Sequence, residues 1–323
     1  MKFACLLLAA LPAFAVVSGT VVNRTTGKPQ SGATVGLNKL GQNGIELIDQ
    51  ATTDAQGKFS ISQEVQGPHV IRTAFDGVTY NHMLPPGSTT TGLDLEVYNA
   101  STQPGSAKVS KHMLLFEPSG GELVVSETFL YVNPGKTAWN SDSGTARFFL
   151  PSAANGKVQI NATAPGGMPI RAAVVKTADP NIFAVNFPVK PGETRFDLNF
   201  SLPYNSGDPY QGKVPTADDN TYLIAPAGVT LAGESLSDLG AEPRTQAHIY
   251  GLSAKTYDIK LTGAAAAAEP SGEAGSEGPK IEQIMPRVNS QTTLILSLAL
   301  GILALGFALL YRAPNPAPGP KTK

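Results

Sequence analysis

Residues 194–203, TRFDLNFSLP, set Phe196, Leu198, Phe200 and Leu202 in strict alternation with Arg195, Asp197, Asn199 and Ser201. A repeat of two belongs to an extended chain with one face in a core and one in water; a helix buries residues three and four apart instead. The rhythm returns in KFSIS from Lys58, GLDLEVYN from Gly92, KVQINAT from Lys157 and TYDIKLTG from Thr256. Turn residues separate these runs, and the chain carries 33 glycines and 26 prolines in 323 residues. Such a pattern predicts many short strands joined by tight turns, and it argues against a helical bundle or a doubly wound α/β enzyme. Charged residues make up 15% of the chain, well below the ~25% of ordinary soluble proteins. The formal net charge of −1 leaves no electrostatic footprint for nucleic acid. An apolar content of 41% is enough to build a core, which argues against general disorder.

The two ends predict where such a chain resides. Residues 1–15, MKFACLLLAALPAFA, combine Lys2, an apolar run over residues 3–11, and the small-x-small ending Ala13-Phe14-Ala15. This is the plan of a secretory signal peptide cleaved after Ala15. Cys5, the single cysteine, lies inside it, so a mature chain has neither disulfides nor thiol chemistry, as suits a bacterial envelope protein. Residues 292–311, TTLILSLALGILALGFALLY, carry no charge, and twenty helical residues extend about 30 Å, the thickness of a bilayer's hydrocarbon core. Residues 312–323 then hold Arg312, Lys321 and Lys323 without an acid, which puts the tail in the cytoplasm and the bulk of the chain periplasmic or extracellular. Residues 263–291, rich in Ala, Gly, Glu and Pro, lack the apolar surface to fold and read as a flexible stalk.

Between these ends lie two β-rich stretches. Over residues 16–102, about seven strands separated by turn signals indicate a β-sandwich. Asp54-Ala55-Gln56-Gly57 makes a tight polar turn, and Asp76-Gly77 joins HVIRTAF to VTYNHML, a hairpin signal because both residues accept positive φ. Gly19-Thr20-Val21, Gly27-Lys28-Pro29, Gly32-Ala33, Val35, Leu37, Thr53-Asp54, Gly57-Lys58-Phe59 and Ile61 together resemble the carboxypeptidase regulatory-like domain. The resemblance implies a transthyretin-like or starch-binding-like sandwich, an accessory module of bacterial surface proteins. It implies no peptidase activity, and its starch-binding-like fold implies carbohydrate as an alternative ligand.

Residues 105–262 form the second stretch. In GELVVSETFLYVN, Val125, Phe129 and Tyr131 share a face with Glu127. A carboxylate there needs a partner or solvent, and a bulge or an edge position is the expected relief. The fold class expected for the whole is all-β: two β-sandwich domains in series, immunoglobulin-like or transthyretin-like, plus one C-terminal transmembrane helix. A single larger β domain is the alternative.

Chemical signatures are sparse. Gly233-Glu234-Ser235-Leu236-Ser237 lacks the final glycine of a nucleophile elbow, and no phosphate-binding loop occurs. His69, His82, His112 and His248 are scattered, with no helical zinc pair. Asp218-Asp219-Asn220 lacks the ligand spacing of a calcium loop. No cofactor, metal or catalytic residue is predicted. The ligand-binding candidates are Trp139, the only tryptophan, set amid turn residues, and Tyr204 and Tyr210, which bracket a polar loop. Exposed aromatics in such settings stack on sugars or anchor protein partners; folded inward, the same rings plug the core. The expected function is a non-catalytic, membrane-anchored envelope protein that presents β modules to an envelope protein partner. Glycan binding is the alternative, and a hydrolase hidden in the second stretch is the third reading.

Overall fold

The computed structural model describes residues 17–41, 44–216 and 221–263. The expected leader, the membrane span at 292–311, the tail, all but the first residue of the stalk, and Asp218-Asp219-Asn220 lie outside these residues. Among the described residues no helix is long and apolar enough to cross a membrane. By compactness the chain divides into 1–268 and 269–323, and only the first of these units contains described residues.

The described chain is all-β, interrupted by one 3-10 turn at Ser152–Ala154. Two four-stranded sheets build its N-terminal region. In the first, Val17–Asn23 pairs with Lys28–Pro29 and Lys58–Ile61, and runs parallel to Leu93–Val97. The second has the order Gly44–Thr52, Thr34–Gly41, His69–Phe75, Val78–Leu84. Val17, Val21, Phe59, Ile61, Leu95 and Val97 of the first sheet meet Val35, Leu37, Ile71 and Leu84 of the second in one core, a layering compatible with a β-sandwich. The 75/78 hairpin has a two-residue loop, and its Asp76 and Gly77 hold φ of 50° and 73°. That is the doubly positive turn whose twist matches the strands.

In the second region an eight-stranded sheet has the order Ile170–Arg171, Gln159–Thr163, Gly192–Pro203, Glu122–Asn133, Lys108–Ser119, Thr221–Ala225, His248–Leu252, Leu236–Ala241. Two three-stranded sheets accompany it, one centred on Ile182–Asn186 and one on Thr256–Gly263. A single core gathers Phe116, Phe129, Phe196 and Leu198 from the large sheet, with Phe148 and Val185 from one small sheet and Tyr257 and Ile259 from the other. The alternation of residues 194–203 is realised in the sheet: Phe196, Leu198 and Phe200 are buried, while Arg195, Asn199 and Ser201 face outward.

Glu127 departs from expectation. It sits mid-strand in the interior of the sheet, 3% exposed. The pairing of Glu122–Asn133 with Gly192–Pro203 runs without a shift past it, and the one shift against Lys108–Ser119 falls at Val109/Lys111. Relief comes from neither bulge nor edge. His112, on the adjacent strand, places Nε2 2.7 Å from the Glu127 carboxylate.

Candidate functional site

The two β-rich regions meet along a polar seam. Ala100–Ser101 pairs in parallel with Ala138–Trp139, and Thr25 Oγ1 donates to the Lys136 carbonyl. Val189 exchanges two 2.9 Å backbone hydrogen bonds with Trp139, a bridge held in place as Asn133 Nδ2 donates to the Val189 carbonyl at 3.3 Å. That bridge delivers the next residue, Lys190, into the N-terminal region. Its ammonium donates to the Thr79 carbonyl and lies 5.0 Å from the centroid of the Tyr80 ring.

Lys190 is 8% exposed, and no carboxylate of the described residues forms an ion pair with it. Burial first, and repulsion by Arg72 second, hold its amine down at about 8. The Tyr80 hydroxyl donates to the Tyr98 carbonyl at 3.1 Å, and burial drives its pKa well above the usual phenol range. Burial first, then repulsion by Glu96, also raises the Tyr98 hydroxyl, which donates to Glu96 Oε2 at 3.2 Å. Arg24 holds the other oxygen of Glu96, Nε to Oε1 at 2.9 Å. Lys190, Tyr80, Tyr98 and Glu96, together with Asn81, His82, Asp94 and Pro191, line an open cleft of about 370 Å³. It occupies the gap between the edge strands Val78–Leu84 and Leu93–Val97, with Lys190 inserted from the second region.

The sequence-predicted aromatics lie elsewhere. Trp139 is half-buried; its indole Nε1 donates to the Thr102 carbonyl at 3.2 Å, and its ring stands 6.1 Å from Tyr131. It lines a separate hollow of about 520 Å³ with Gln103, Lys108 and Arg147. Tyr204 and Tyr210 are 6% and 4% exposed, the inward-folded of the two placements the sequence allowed. The Tyr204 hydroxyl donates to the Leu261 carbonyl at 3.0 Å and accepts its N–H at 3.2 Å. Tyr210 meets Phe116 edge-on at 5.1 Å, and burial, then the Glu127 charge, pushes its hydroxyl up. Both rings plug the core of the second region. Behind them His112 stacks on Phe129 at 4.2 Å and sets Nδ1 3.1 Å from Thr221 Oγ1, completing a buried Thr-His-Glu chain. Among the described residues no three His, Cys, Asp or Glu side chains gather as a metal site.

Gly44–Thr52 is an edge strand, and Ile45, Leu47 and Ile48 on it are exposed. Leu47 lies over Gly36, where a Cβ would stand 3.0 Å from its Cδ1; glycine makes room for the leucine. Leu47 pairs with Asn38, Asn38 with Val70, and Val70 with Met83. These four occupy one row across the sheet face that does not enter the N-terminal core. Leu47 is 54% and Met83 38% exposed, while Val70 between them is buried.

No family model matches the chain, and no curated protein matches it. Among solved structures it is similar to the M1 zinc metallopeptidase from Deinococcus radiodurans, at 12% identity over 48% of this chain and 42% of that one, with a TM-score of 0.25. A mutant form of that enzyme gives 11% identity and a TM-score of 0.26, at the same coverage. The chain thus spans less than half the length of these structures, and a likeness so slight transfers neither fold nor activity.

Proposed function

We propose that the chain is a non-catalytic, membrane-anchored bacterial envelope protein, and that its β-rich regions, read as two sandwiches in series, present a surface to a protein partner. The observation that carries this reading is the edge strand Gly44–Thr52, on which Ile45, Leu47 and Ile48 are exposed. Soluble proteins blunt edge strands with charge, proline or cover, because an open edge invites another strand. Here the edge carries Glu46 and Asp49 but keeps three exposed aliphatic side chains among them, a surface onto which an extended partner segment can add and drop alternate side chains. The partner is accordingly a protein that contributes an extended, apolar segment. The leader-like and span-like ends of the sequence support export and anchoring, and the resemblance of residues 19–61 to the carboxypeptidase regulatory-like domain supports an accessory role.

Mild solubilisation at native expression, followed by chemical crosslinking, tests the proposal. The expected result is a higher-mass species that disappears in Leu47→Asp. A chain recovered alone, or an adduct indifferent to Leu47→Asp, contradicts it.

A further inference from the structure

We infer that the cleft at the seam is a binding site for a small hydroxylated carboxylate, with Lys190 as the group that takes the carboxylate. Buried charges in proteins are paired, because an uncompensated one forfeits its hydration. Lys190 breaks that pattern. Among the described residues its ammonium meets the Thr79 carbonyl and the face of Tyr80, which offer partial negative charge, and the charge that perturbs it is Arg72, of like sign. The group that completes this environment is an anion, and the cleft beside it has the room.

The remaining lining says what kind of anion. Asp94, Glu96 and Asn81 bring oxygen acceptors to the lining, His82 can accept or donate, and the Tyr98 hydroxyl, which donates to Glu96, can accept. Glu96 already holds Arg24 and Tyr98, which leaves Asp94 and Asn81 as the acceptors for a ligand's hydroxyl protons. The two lining carboxylates, Asp94 and Glu96, would repel a compact, multiply charged anion such as phosphate more than a monocarboxylate. A molecule with one carboxylate and several hydroxyls satisfies both ends. Tyr80 and Tyr98, with ring centroids 5.9 Å apart and planes at 42°, add an aromatic wall. A volume of about 370 Å³ holds about a dozen waters at ~30 Å³ each, and so a ligand of comparable heavy-atom count. Lys190 comes from one β-rich region and the acceptors from the other, the setting in which ligand clefts commonly form.

Titration calorimetry on the full chain with glucuronate, glucose and acetate tests the assignment. Glucuronate is expected to bind, with glucose (no carboxylate) and acetate (no hydroxyls) each at least tenfold weaker. Lys190→Gln should weaken glucuronate at least tenfold, the loss of one charge-assisted hydrogen bond. Lys190 also ties the two regions together, so Asp94→Ala serves as the second variant. It leaves the Thr79 and Tyr80 contacts in place, and should weaken glucuronate several-fold while the melting temperature stays unchanged. Glucuronate affinity should also fall as pH rises above 8, where the amine loses its proton. Absence of glucuronate binding, acetate binding as tightly as glucuronate, or affinity untouched in both variants overturns the inference.

Discussion

Replacing Glu127 alone should damage the protein more than replacing Glu127 and His112 together. Glu127 lies mid-sheet with one carboxylate oxygen 2.7 Å from His112 Nε2, and its second oxygen has no partner. Glu127→Leu fills a similar volume but strands the imidazole nitrogen in an apolar core. Breaking one side of a buried pair costs about 3–5 kcal/mol, whereas replacing both members with apolar groups is often neutral or stabilising. The double variant His112→Leu/Glu127→Leu removes the stranded groups together, including the unpartnered carboxylate oxygen. It forfeits the His112–Phe129 stack, worth about 0.5–1.5 kcal/mol, and leaves the Thr221 hydroxyl to find another acceptor. The expected cost is about 3 kcal/mol for Glu127→Leu and about 1 kcal/mol for the double variant. Urea unfolding followed by the fluorescence of Trp139, the chain's only tryptophan, reads both. A cost below about 1 kcal/mol for Glu127→Leu, or strictly additive effects in the full cycle, would refute the claim that the two side chains satisfy one another.

Two further perturbations follow from the seam and the second core. The Lys190 amine is held at about 8 in the folded chain against ~10.4 in an unfolded one, so between these values the unfolded state binds the extra proton. Stability relative to Lys190→Met should therefore rise with pH across that window, by roughly 3 kcal/mol in all. Comparing the two chains cancels most of the opposing contribution of the buried tyrosines, and a difference that stays flat from pH 7 to 10 contradicts the buried, unpaired ammonium. Gly144 holds φ of +80°, and a Cβ there would stand 2.6 Å from that of buried Ala184. Gly144→Ala should cost at least about 2 kcal/mol, from backbone strain and overpacking combined, in the same urea assay; a loss under about 0.5 kcal/mol contradicts it.

How far the sequence carried depended on how local each signal was. The 194–203 strand and the Asp76-Gly77 turn were legible because alternation and positive-φ residues act within a few positions. Glu127 was legible as an anomaly and illegible in its resolution. Its partner lies fifteen residues back, and only the register of the 108–119/122–133 hairpin, which sets Leu114 opposite Glu127 and His112 opposite Phe129, brings them together. For Tyr204 and Tyr210 the sequence left exposure and burial both open, because polar neighbours along the chain say nothing of distant contacts. Tyr204 is anchored by Leu261, 57 residues away, and no local pattern records that contact. Lys190 gave no signal at all. In PVKPGE it reads as a loop lysine, and its burial arises from the bridge between Val189 and Trp139 and from Thr79, 111 positions distant.

A photo-crosslinking residue at position 47 tests most directly whether the exposed edge strand Gly44–Thr52 engages a protein partner. Expressed at native level and illuminated in intact cells, a chain carrying benzoylphenylalanine in place of Leu47 should yield one discrete adduct of higher mass. The same probe in place of Leu239, equally exposed and apolar at 57% but on the edge strand Leu236–Ala241 of the other region, should yield none. Silence at both positions, or the same adduct from both, would contradict the account.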